Sequence, residues 1–203
     1  MSPGPTFDRV YAALKEQLLS GRWAPGAHLE PGVIGDDLGA STTPVRDALH
    51  RLVGERLIEA PRHDGFWVPT MSEAALRELY DWNGELLAMA LRGLPLDPLL
   101  DIAREVATTD PAPLFLAIAR QAGNAELERA VASNNDRLAA YRAIEPHVID
   151  DCAGELASLH LCGQETNGGR LRRELAAYHK RRLRATPLVL AVRHRTVGRG
   201  LPR

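Results

Sequence analysis

The sequence contains few cysteines and no long apolar run. Its 203 residues include two cysteines, Cys152 and Cys162, which lie ten positions apart and form no CxxC pair. They match neither a cysteine framework of small secreted domains nor a thiolate metal motif, so we expect reduced thiols. No stretch approaches the roughly 18 consecutive apolar residues of a membrane span. The first residues, MSPGPTFDR, show no basic-then-apolar export signal, which favours a cytoplasmic protein without membrane contact.

The sequence also lacks the signatures of common enzyme classes. We find no P-loop, no GxGxxG after a strand, no GxSxG, no HExxH and no CxxC. Acidic residues in the second half fall mostly on polar helical faces, as is typical of a solvated surface. The sequence therefore predicts no catalytic residues, no cofactor and no enzymatic activity.

Charge is nearly balanced overall but unevenly distributed. The formal net charge is −1, yet residues 1–70 carry 7 basic and 9 acidic side chains, and residues 71–169 carry 7 and 16. Residues 170–203 carry 11 basic and 1 acidic side chain. Because nucleic-acid-binding domains usually have a clear basic excess, any DNA affinity here must arise from a local arrangement of arginines. The basic tail either packs on the acidic middle of the chain or reaches DNA phosphates.

The most informative stretch runs from Ser41 to Val68 and predicts a short helix followed by a β-ribbon. Thr43 and Pro44 are typical of an N-cap and a first helical position. An apolar stripe then recurs at helical spacing, formed by Val45, Ala48, Leu49, Leu52 and Val53. Two strand-like runs, 57–60 and 66–68, flank Asp64-Gly65, which can supply the positive φ angles of a turn.

Polar side chains occupy the other side of this helix. Arg46 and His50 are four residues apart and share a face, with Thr42 and Thr43 at its N-terminal end and Arg51 beside it. An arginine-bearing helix backed by a hairpin is the layout of a winged helix-turn-helix. The alternative is an amphipathic helix packed on a hairpin, with Arg46 and His50 merely solvated.

The preceding residues complete such a domain. We predict a helix from Phe7 to Ser20 with Gly21 in the left-handed position after it, a short strand at 27–29, and a helix over 31–38. Val33, Ile34 and Leu38 are expected to face inward. Residues 1–70 are thus predicted to form a winged helix-turn-helix domain.

Beyond residue 70 the sequence predicts six helical segments and no convincing strand. Ser72 caps the first, Asp97-Pro98 and Asp110-Pro111 open two more, and Pro146 precedes a fifth that runs from His147 to Cys162. We predict a mainly α protein, with an all-α helical bundle over 71–186 and a basic tail over 187–203 that frays.

Two segments resemble a known family: VYAALKEQLLSGRWAPGAHL and DDLGASTTPVRDALHRLVGERLIEAPRHDGFWV. They are similar to the DNA-binding domain of GntR-superfamily bacterial transcription regulators. The matches are the Gly21…Pro25-Gly26 turn, the TPVRDAL helix start, the ERLI exit and the wing glycine, Gly65. The segments ARQAGNAELERAV and ELAAYHKRRL resemble the FadR-type branch, whose all-helical FCD-like domain binds effectors and dimerises.

The resemblance implies a DNA-reading surface. Arg46 becomes a base or phosphate contact, and Ser41 and Thr43 become phosphate contacts, since a helix N-terminus favours phosphate. Thr42 stands where the family usually has an arginine, so the operator should differ from the usual half-site or be read less strictly. The complete predicted set is Ser41, Thr42, Thr43, Arg46, His50, Arg51, Arg62, His63 and Gly65.

Many members of this branch bind a metal ion through one Asp and three His, which this sequence does not preserve. The Asp and first His positions are Ala112 and Leu116, and no His occurs near Cys152-Ala153. His179 alone matches a family ligand, and one imidazole does not hold a metal ion. We therefore predict no metal at this site.

An effector site is also predicted in the helical bundle. Asn83 interrupts an apolar stripe where the family often has an arginine for an anionic ligand. Tyr141, Tyr178 and His179 place polar tips on inward helical faces. Each of these residues is either a pocket contact or a core side chain. Without the metal and that arginine, a more apolar effector, or none, is expected.

These observations predict a ligand-responsive transcriptional regulator, and more specifically a repressor. It would bind a pseudo-palindromic double-stranded DNA operator as a homodimer and respond to a small-molecule effector. The alternatives are a protein-interaction module and an effectorless regulator with a degenerate ligand domain.

Overall fold

The computed structural model of the chain describes residues 5–61, 64–92, 110–164 and 168–195. The chain divides into two compact units. Residues 1–71 and 191–203 form the first, and residues 72–190 form the second.

Three helices and two short strands form the first unit within these ranges. They are α1 (Pro5–Leu19), β1 (His28–Leu29), α2 (Pro31–Leu38), α3 (Thr42–Gly54) and β2 (Phe66–Trp67). Gly21 follows α1 with a φ of 75°, as predicted for the left-handed position after a helix.

The core of this unit lies between α1 and α3. Four of the five residues of the predicted α3 stripe, Val45, Ala48, Leu49 and Leu52, have 0% of their surface exposed, and Val53 is partly buried against the same core. Val10 and Leu14 of α1, also 0% exposed, belong to the same cluster. Burial of one α3 face against α1 leaves the opposite face of that helix in water.

The wing is small. β1 pairs antiparallel with β2, with His28 opposite Trp67 and Leu29 opposite Phe66, and a single bridge joins Glu59 to Trp67. The strand predicted at 27–29 is therefore confirmed. The predicted ribbon of 57–60 with 66–68 is reduced to that one bridge.

Two local predictions in this unit are wrong. The N-cap of α3 is Ser41 rather than Thr43, so Pro44 is the third helical residue. Proline is tolerated there because none of the first-turn N–H groups has an intrahelical partner. Val33, expected to face inward, is 65% exposed, since α2 buries Ile34 and Gly35 instead.

Helices make up the described part of the second unit. They are α4 (Glu73–Ala90), α5 (Ala112–Gln121), α6 (Ala125–Arg142), a 3₁₀ turn (Glu145–His147), α7 (Cys152–Gln164) and α8 (Gly168–Arg195). Ser72 caps α4 by accepting from the N–H of Ala75, as predicted. The predicted fifth helix begins at Cys152 instead of His147, and the helix predicted from Asp97 lies outside the described residues.

Apolar residues from five helices share one core in this unit. Among its fully buried members are Leu87, Phe115, Val131, Leu159 and Tyr178. No helix in the described ranges is both long and apolar enough to cross a membrane.

The expected fraying from Pro187 is wrong over the described residues, because α8 continues through this proline to Arg195, and residues 196–203 lie outside the described part of the chain. Proline cannot donate to the carbonyl four residues earlier, that of Leu183. Arg77 on α4 donates to this carbonyl instead, at 2.7 Å. Val189, beyond the proline, is 0% exposed. Packing and a replacement donor therefore stabilise the helix where sequence alone predicts its end.

The end of α8 belongs to the first unit. Arg193 is 6% exposed and donates to the carbonyls of Gly21 at 3.2 Å and Trp23 at 2.6 Å. Two loop carbonyls after α1 thus gain a charged donor from the segment that was predicted to be a free tail.

Substitution of two glycines in α2 tests how closely the turn between α2 and α3 packs against α2. A Cβ at Gly35 would lie 2.6 Å from the carbonyl oxygen of Ala40, whereas one at Gly32 would have nothing within 4 Å. We predict that Gly35→Ala lowers stability by about 1–3 kcal/mol through this overlap. Gly32→Ala should leave stability unchanged or raise it by up to about 1 kcal/mol. Chemical denaturation of both variants measures the difference, and equal effects would contradict the tight turn.

Candidate nucleic-acid interface and effector site

The predicted DNA-reading residues of the first helical turns lie together on the exposed face of α3. Ser41, Thr42, Thr43, Arg46 and His50 are all exposed to solvent, opposite the buried stripe. Residues with hydroxyl, guanidinium and imidazole groups therefore form one continuous polar surface at the N-terminal half of α3.

Ser41 leaves the start of α3 open to a ligand. Its backbone is extended, with φ −69° and ψ 162°, and its side chain makes no capping hydrogen bond. The first N–H groups of a helix lack intrahelical partners and carry partial positive charge. This helix end can consequently bind a phosphate oxygen with backbone N–H groups and the Ser41 hydroxyl.

The arginines of this unit differ in how they are engaged. Arg51 lies 3.3 Å from Glu55, and its guanidinium carbon is 4.0 Å from the Tyr11 ring centroid. Arg9 donates to the carbonyl of Leu38 at 2.7 Å. Arg46 is exposed and takes part in no hydrogen bond or ion pair among the described residues. Arg46 is thus the α3 arginine that has its whole donor set available.

The wing is held close to α3 and β1. Gly65 has a φ of 78°, and a Cβ there would lie 2.7 Å from Nε2 of His28. The His50 ring meets Phe66 edge-on, with centroids 5.0 Å apart. The predicted contacts Arg62 and His63 lie outside the described residues. The structure therefore brings His50 and the start of β2 together and fixes the backbone at Gly65.

Comparison with known proteins agrees with this geometry. Residues 6–68 match the model of bacterial regulatory proteins of the gntR family. The HTH-type transcriptional regulator McbR of Escherichia coli K12 is 29% identical over 174 residues, which cover 82% of this chain and 76% of McbR. Residues 6–68 therefore form a helix-turn-helix domain like that of the gntR family, and most of the chain is similar to McbR. The predicted resemblance is confirmed, and the relatives are named as regulators and not as enzymes.

Other matches are more limited. The E. coli HTH-type transcriptional repressor GlaR is 30% identical over 79 residues, covering 39% of this chain and 36% of GlaR. The solved structure of E. coli McbR/YncC aligns with a TM-score of 0.64 and 21% identity, over 92% of this chain and 99% of that one. A solved structure described as a GntR transcriptional regulator from Rhodococcus sp. RHA1 aligns with a TM-score of 0.70 and 18% sequence identity. The alignment covers 91% of this chain and 97% of that chain. These likenesses confirm the predicted fold, a winged helix-turn-helix with a helical C-terminal unit.

In the helical unit, three of the four predicted effector residues meet. Asn83, Tyr178 and His179 are 0%, 1% and 6% exposed. His179 Nε2 lies 3.0 Å from Asn83 Oδ1, and the rings of Tyr178 and His179 are 5.0 Å apart. Tyr141, on α6, is also buried, with 6% exposed.

Sequence reasoning missed the central residue of this cluster, Arg142. Its guanidinium donates to Asn83 Oδ1 at 3.1 Å and to Asn135 Oδ1 at 2.9 Å, and it is 6% exposed. Asn135 and Arg142 are seven residues apart, so two helical turns of α6 place both on one inward face with Leu138. That spacing, polar on an otherwise apolar stripe, is the signal that could have identified Arg142.

Both ring nitrogens of His179, the one residue that matches a family metal ligand, face oxygen atoms of the protein itself. His179 Nδ1 faces the carbonyl oxygen of Leu175 at 2.7 Å, while Nε2 faces an amide oxygen that already accepts from Arg142. Burial lowers the pKa of His179 to about 4, and the nearby guanidinium groups act in the same direction. In the part of the chain that the structure describes, no three His, Cys, Asp or Glu side chains could hold a metal. These residues do not fit the metal ion of the family.

A second buried arginine lies on α8. Arg182 pairs with Glu145 at 2.9 Å and with Glu155, and its guanidinium carbon is 3.4 Å from the Tyr178 ring centroid. Tyr80 donates to Glu145 at 2.7 Å. The basic α8 segment thus packs on acidic residues of the middle of the chain, one of the two roles expected from charge. Arg182, in contrast to Arg142, has two carboxylate partners.

A pocket of about 270 Å³ opens between α4 and α8 beside the polar cluster. Gly84 and His179 both line it, and a Cβ at Gly84 would lie 3.2 Å from His179 Cγ. Charged residues of both signs, including Asp81, Glu85 and Lys180, line it as well. The absence of a side chain at Gly84 permits the close approach of α4 and α8.

The Arg182 network, formed by Arg182, Glu145, Glu155 and Tyr80, leads to a prediction about the stability of the protein. Arg182→Met leaves two acidic groups without their buried partner, so we expect a loss of about 3–5 kcal/mol of unfolding free energy. The matched control is Arg129→Met, because Arg129 and Glu126 form an exposed pair, 72% and 81% accessible. Its loss should cost no more than about 1 kcal/mol. Urea denaturation tests both, and similar small losses would contradict a buried network.

Proposed function

We propose that this protein is a transcriptional regulator of the GntR type. It would repress transcription in the cytoplasm by binding a pseudo-palindromic operator as a homodimer, and a small molecule in the helical unit would modulate that binding. The observation that carries the proposal is the exposed polar face of α3, where Arg46 has no hydrogen-bond or ion-pair partner among the residues that the structure describes. An α-helix fits the major groove, and arginine can donate two hydrogen bonds to guanine O6 and N7.

Each residue then has a distinct role in the proposed complex. Arg46 reads a base edge, and His50 lies farther along the same face. Ser41 and Thr43 bind phosphates at the start of α3, where backbone N–H groups are available. Gly65, with the neighbouring Arg62 and His63, approaches the minor groove. Arg51 supports the interface through Glu55 and Tyr11 more than it reads bases, because its guanidinium is held by both.

A dimer is favoured by the weak charge of one DNA-binding unit. Residues 1–70 carry two more acidic than basic side chains, so one unit has little non-specific attraction for DNA. Two units on half-sites of matching symmetry combine their contacts. We propose that effector binding at Asn83, Tyr178 and His179 shifts the population between DNA-competent and DNA-incompetent arrangements. Tyr141, buried on α6, is a further contact in this proposal.

The Arg46→Ala variant tests the DNA-reading role. Loss of a bidentate base contact should weaken binding to the selected operator by about 1–3 kcal/mol, roughly 5- to 150-fold. The slope of log affinity against log salt concentration should change little if Arg46 contacts a base. If Arg46 contacts a phosphate, the magnitude of that slope should fall by about one. Fluorescence anisotropy titrations at several salt concentrations measure both quantities.

The control is Arg120→Ala, which removes an exposed guanidinium of the helical unit paired with Glu128. It should leave operator affinity unchanged. Unchanged affinity and salt slope in Arg46→Ala would remove Arg46 from the interface.

A protein-interaction role is the second candidate, favoured by the acidic balance of residues 1–70. It predicts that the wild-type chain does not bind random DNA even at about 50 mM salt, where non-specific affinity is strong. The proposed regulator does bind under these conditions.

A further inference from the structure

The backbone at the tip of the wing is fixed by the side chain of Trp67. Its indole Nε1 donates to the carbonyl oxygen of Asp64 at 2.6 Å. The N–H of Asp64 donates in turn to the carbonyl oxygen of Pro61 at 3.2 Å. Both backbone polar groups of Asp64 are therefore engaged, although the residue is exposed to solvent.

His28 packs against both Trp67 and the turn before it. The two residues are opposite each other in the β1–β2 pair, and their ring centroids lie 4.6 Å apart. Ring contacts across neighbouring strands stabilise a sheet. A Cβ at Gly65 would lie 2.7 Å from His28 Nε2, and the φ of Gly65 is 78°. The imidazole therefore occupies the space beside Gly65 and restricts the conformation of the turn.

Trp67 also connects the tip to the exposed face of α3. Its backbone exchanges two hydrogen bonds of 2.8 Å with Glu59, on the side opposite to His28. The preceding residue, Phe66, is buried and meets the His50 ring edge-on. Successive strand residues point to opposite faces, so Phe66 contacts α3 while Trp67 contacts the tip. The position of the tip relative to His50 is thus defined by contacts on both faces of β2.

The side chain of Asp64 is the chemical group that this arrangement presents. It is exposed, and its carboxylate has no hydrogen-bond or ion-pair partner among the described residues. An ionised carboxylate only accepts hydrogen bonds. In the minor groove of DNA, adenine N3 and thymine O2 are acceptors, and the donor is the 2-amino group of guanine. A fixed carboxylate can therefore pair with a G·C base pair there and not with an A·T pair.

We propose that Asp64 is a specificity-determining residue that accepts a hydrogen bond from guanine in the minor groove beside each half-site, and that Trp67 and His28 are its positioning residues. The inference deepens the proposed function and rests on it, because the wing approaches the minor groove only in that complex. A turn that is ordered before binding loses less conformational entropy in the complex.

The same carboxylate disfavours the alternative sequence. Narrow A·T-rich minor grooves have an enhanced negative potential and present only acceptors to Asp64. Recognition of the correct base pair is thus combined with repulsion from the wrong one, as is common in specific interfaces. The wing of this protein should consequently select G·C pairs beside the sequence that α3 reads.

The test uses the full-length protein and the operator recovered from a random DNA pool, with each guanine replaced in turn by inosine. Inosine keeps O6 and N7 in the major groove and lacks only the 2-amino group, so guanine contacts of α3 are retained. We expect one guanine in each half-site at which inosine weakens binding by about 2- to 12-fold, the contribution of one hydrogen bond. Fluorescence anisotropy measures the affinity, and hydroxyl-radical cleavage should show minor-groove protection at that guanine.

Two variants connect this discrimination to the tip. Asp64→Ala should bind the guanine and inosine operators equally. It should also bind the inosine operator more tightly than the wild type does, because the repulsion is removed. Trp67→Phe keeps a ring beside His28 but lacks the indole N–H, so its discrimination should fall towards that of Asp64→Ala.

Two controls separate positioning from general stability. Trp23→Phe is the same substitution in the same unit, and the indole N–H of Trp23 makes no hydrogen bond among the described residues. It should keep the discrimination even if it lowers the unfolding free energy as much as Trp67→Phe. His28→Phe, which retains a ring against Trp67, should also discriminate, whereas His28→Ala should not.

The opposite results would overturn the inference. They are an operator without guanine beside the half-sites, no effect of inosine on the wild type, or full discrimination by Asp64→Ala. Full discrimination by Trp67→Phe would remove Trp67 as a positioning residue. In each of these cases α3 would still bind the operator and the proposed function would stand. Only a wild-type protein that selects no operator at all would contradict the proposed function itself.

Discussion

Four aliphatic side chains on one face of α3 are fully excluded from water, and their burial determines which face of this helix remains available for DNA. Val45, Ala48, Leu49 and Leu52 pack in the same core as Val10 and Leu14 of α1. Burial of a large aliphatic side chain contributes about 1.5–3 kcal/mol. Rotation of α3 about its axis would expose several of these side chains at once, so the helix cannot turn its arginine inward. Packing of the apolar face of α3 therefore keeps its polar face, including Arg46, exposed to solvent.

The helical unit depends on a different constraint, namely how two cations are accommodated in its interior. The Arg182 network, with Glu145, Glu155 and Tyr80, is satisfied by the chain itself. The hydrogen-bonding capacity of Arg142 is met only in part. Its guanidinium donates to the amide oxygens of Asn83 and Asn135, and its Nε has no partner among the described residues. This asymmetry distinguishes a buried cation that is paired with two carboxylates from a buried cation whose described hydrogen-bond partners are amide oxygens.

Local patterns predicted much of the fold correctly. The α3 stripe, the Ser72 cap and the strand before α2 all depend on residues close together in the sequence, and each is confirmed. The errors arise where distant residues intervene. Pro187 predicts a helix end, but Arg77 supplies the donor that the proline lacks. For Arg142 the sequence offers only its spacing from Asn135 on an inward helical face, and its packing beside Asn83 on a distant helix shows that it belongs to the candidate site.

The prediction of the candidate DNA interface likewise depends partly on local sequence pattern and partly on contacts between distant residues. Exposure of Arg46 and His50 follows from helical periodicity, whereas the engagement of Arg51 requires Tyr11, forty positions earlier on α1. The similarity of residues 6–68 to the gntR family supports the helix-turn-helix assignment, while residue-by-residue contacts with DNA rest on geometry and charge.

The most direct test of the central claim is selection of DNA from a random pool by the purified wild-type protein, followed by sequencing. If the exposed face of α3 reads DNA in a two-fold dimer, the selected sequences will contain two inverted half-sites at one fixed spacing. Recovery of DNA with no enriched motif, or with an isolated half-site at no defined spacing, would contradict the account.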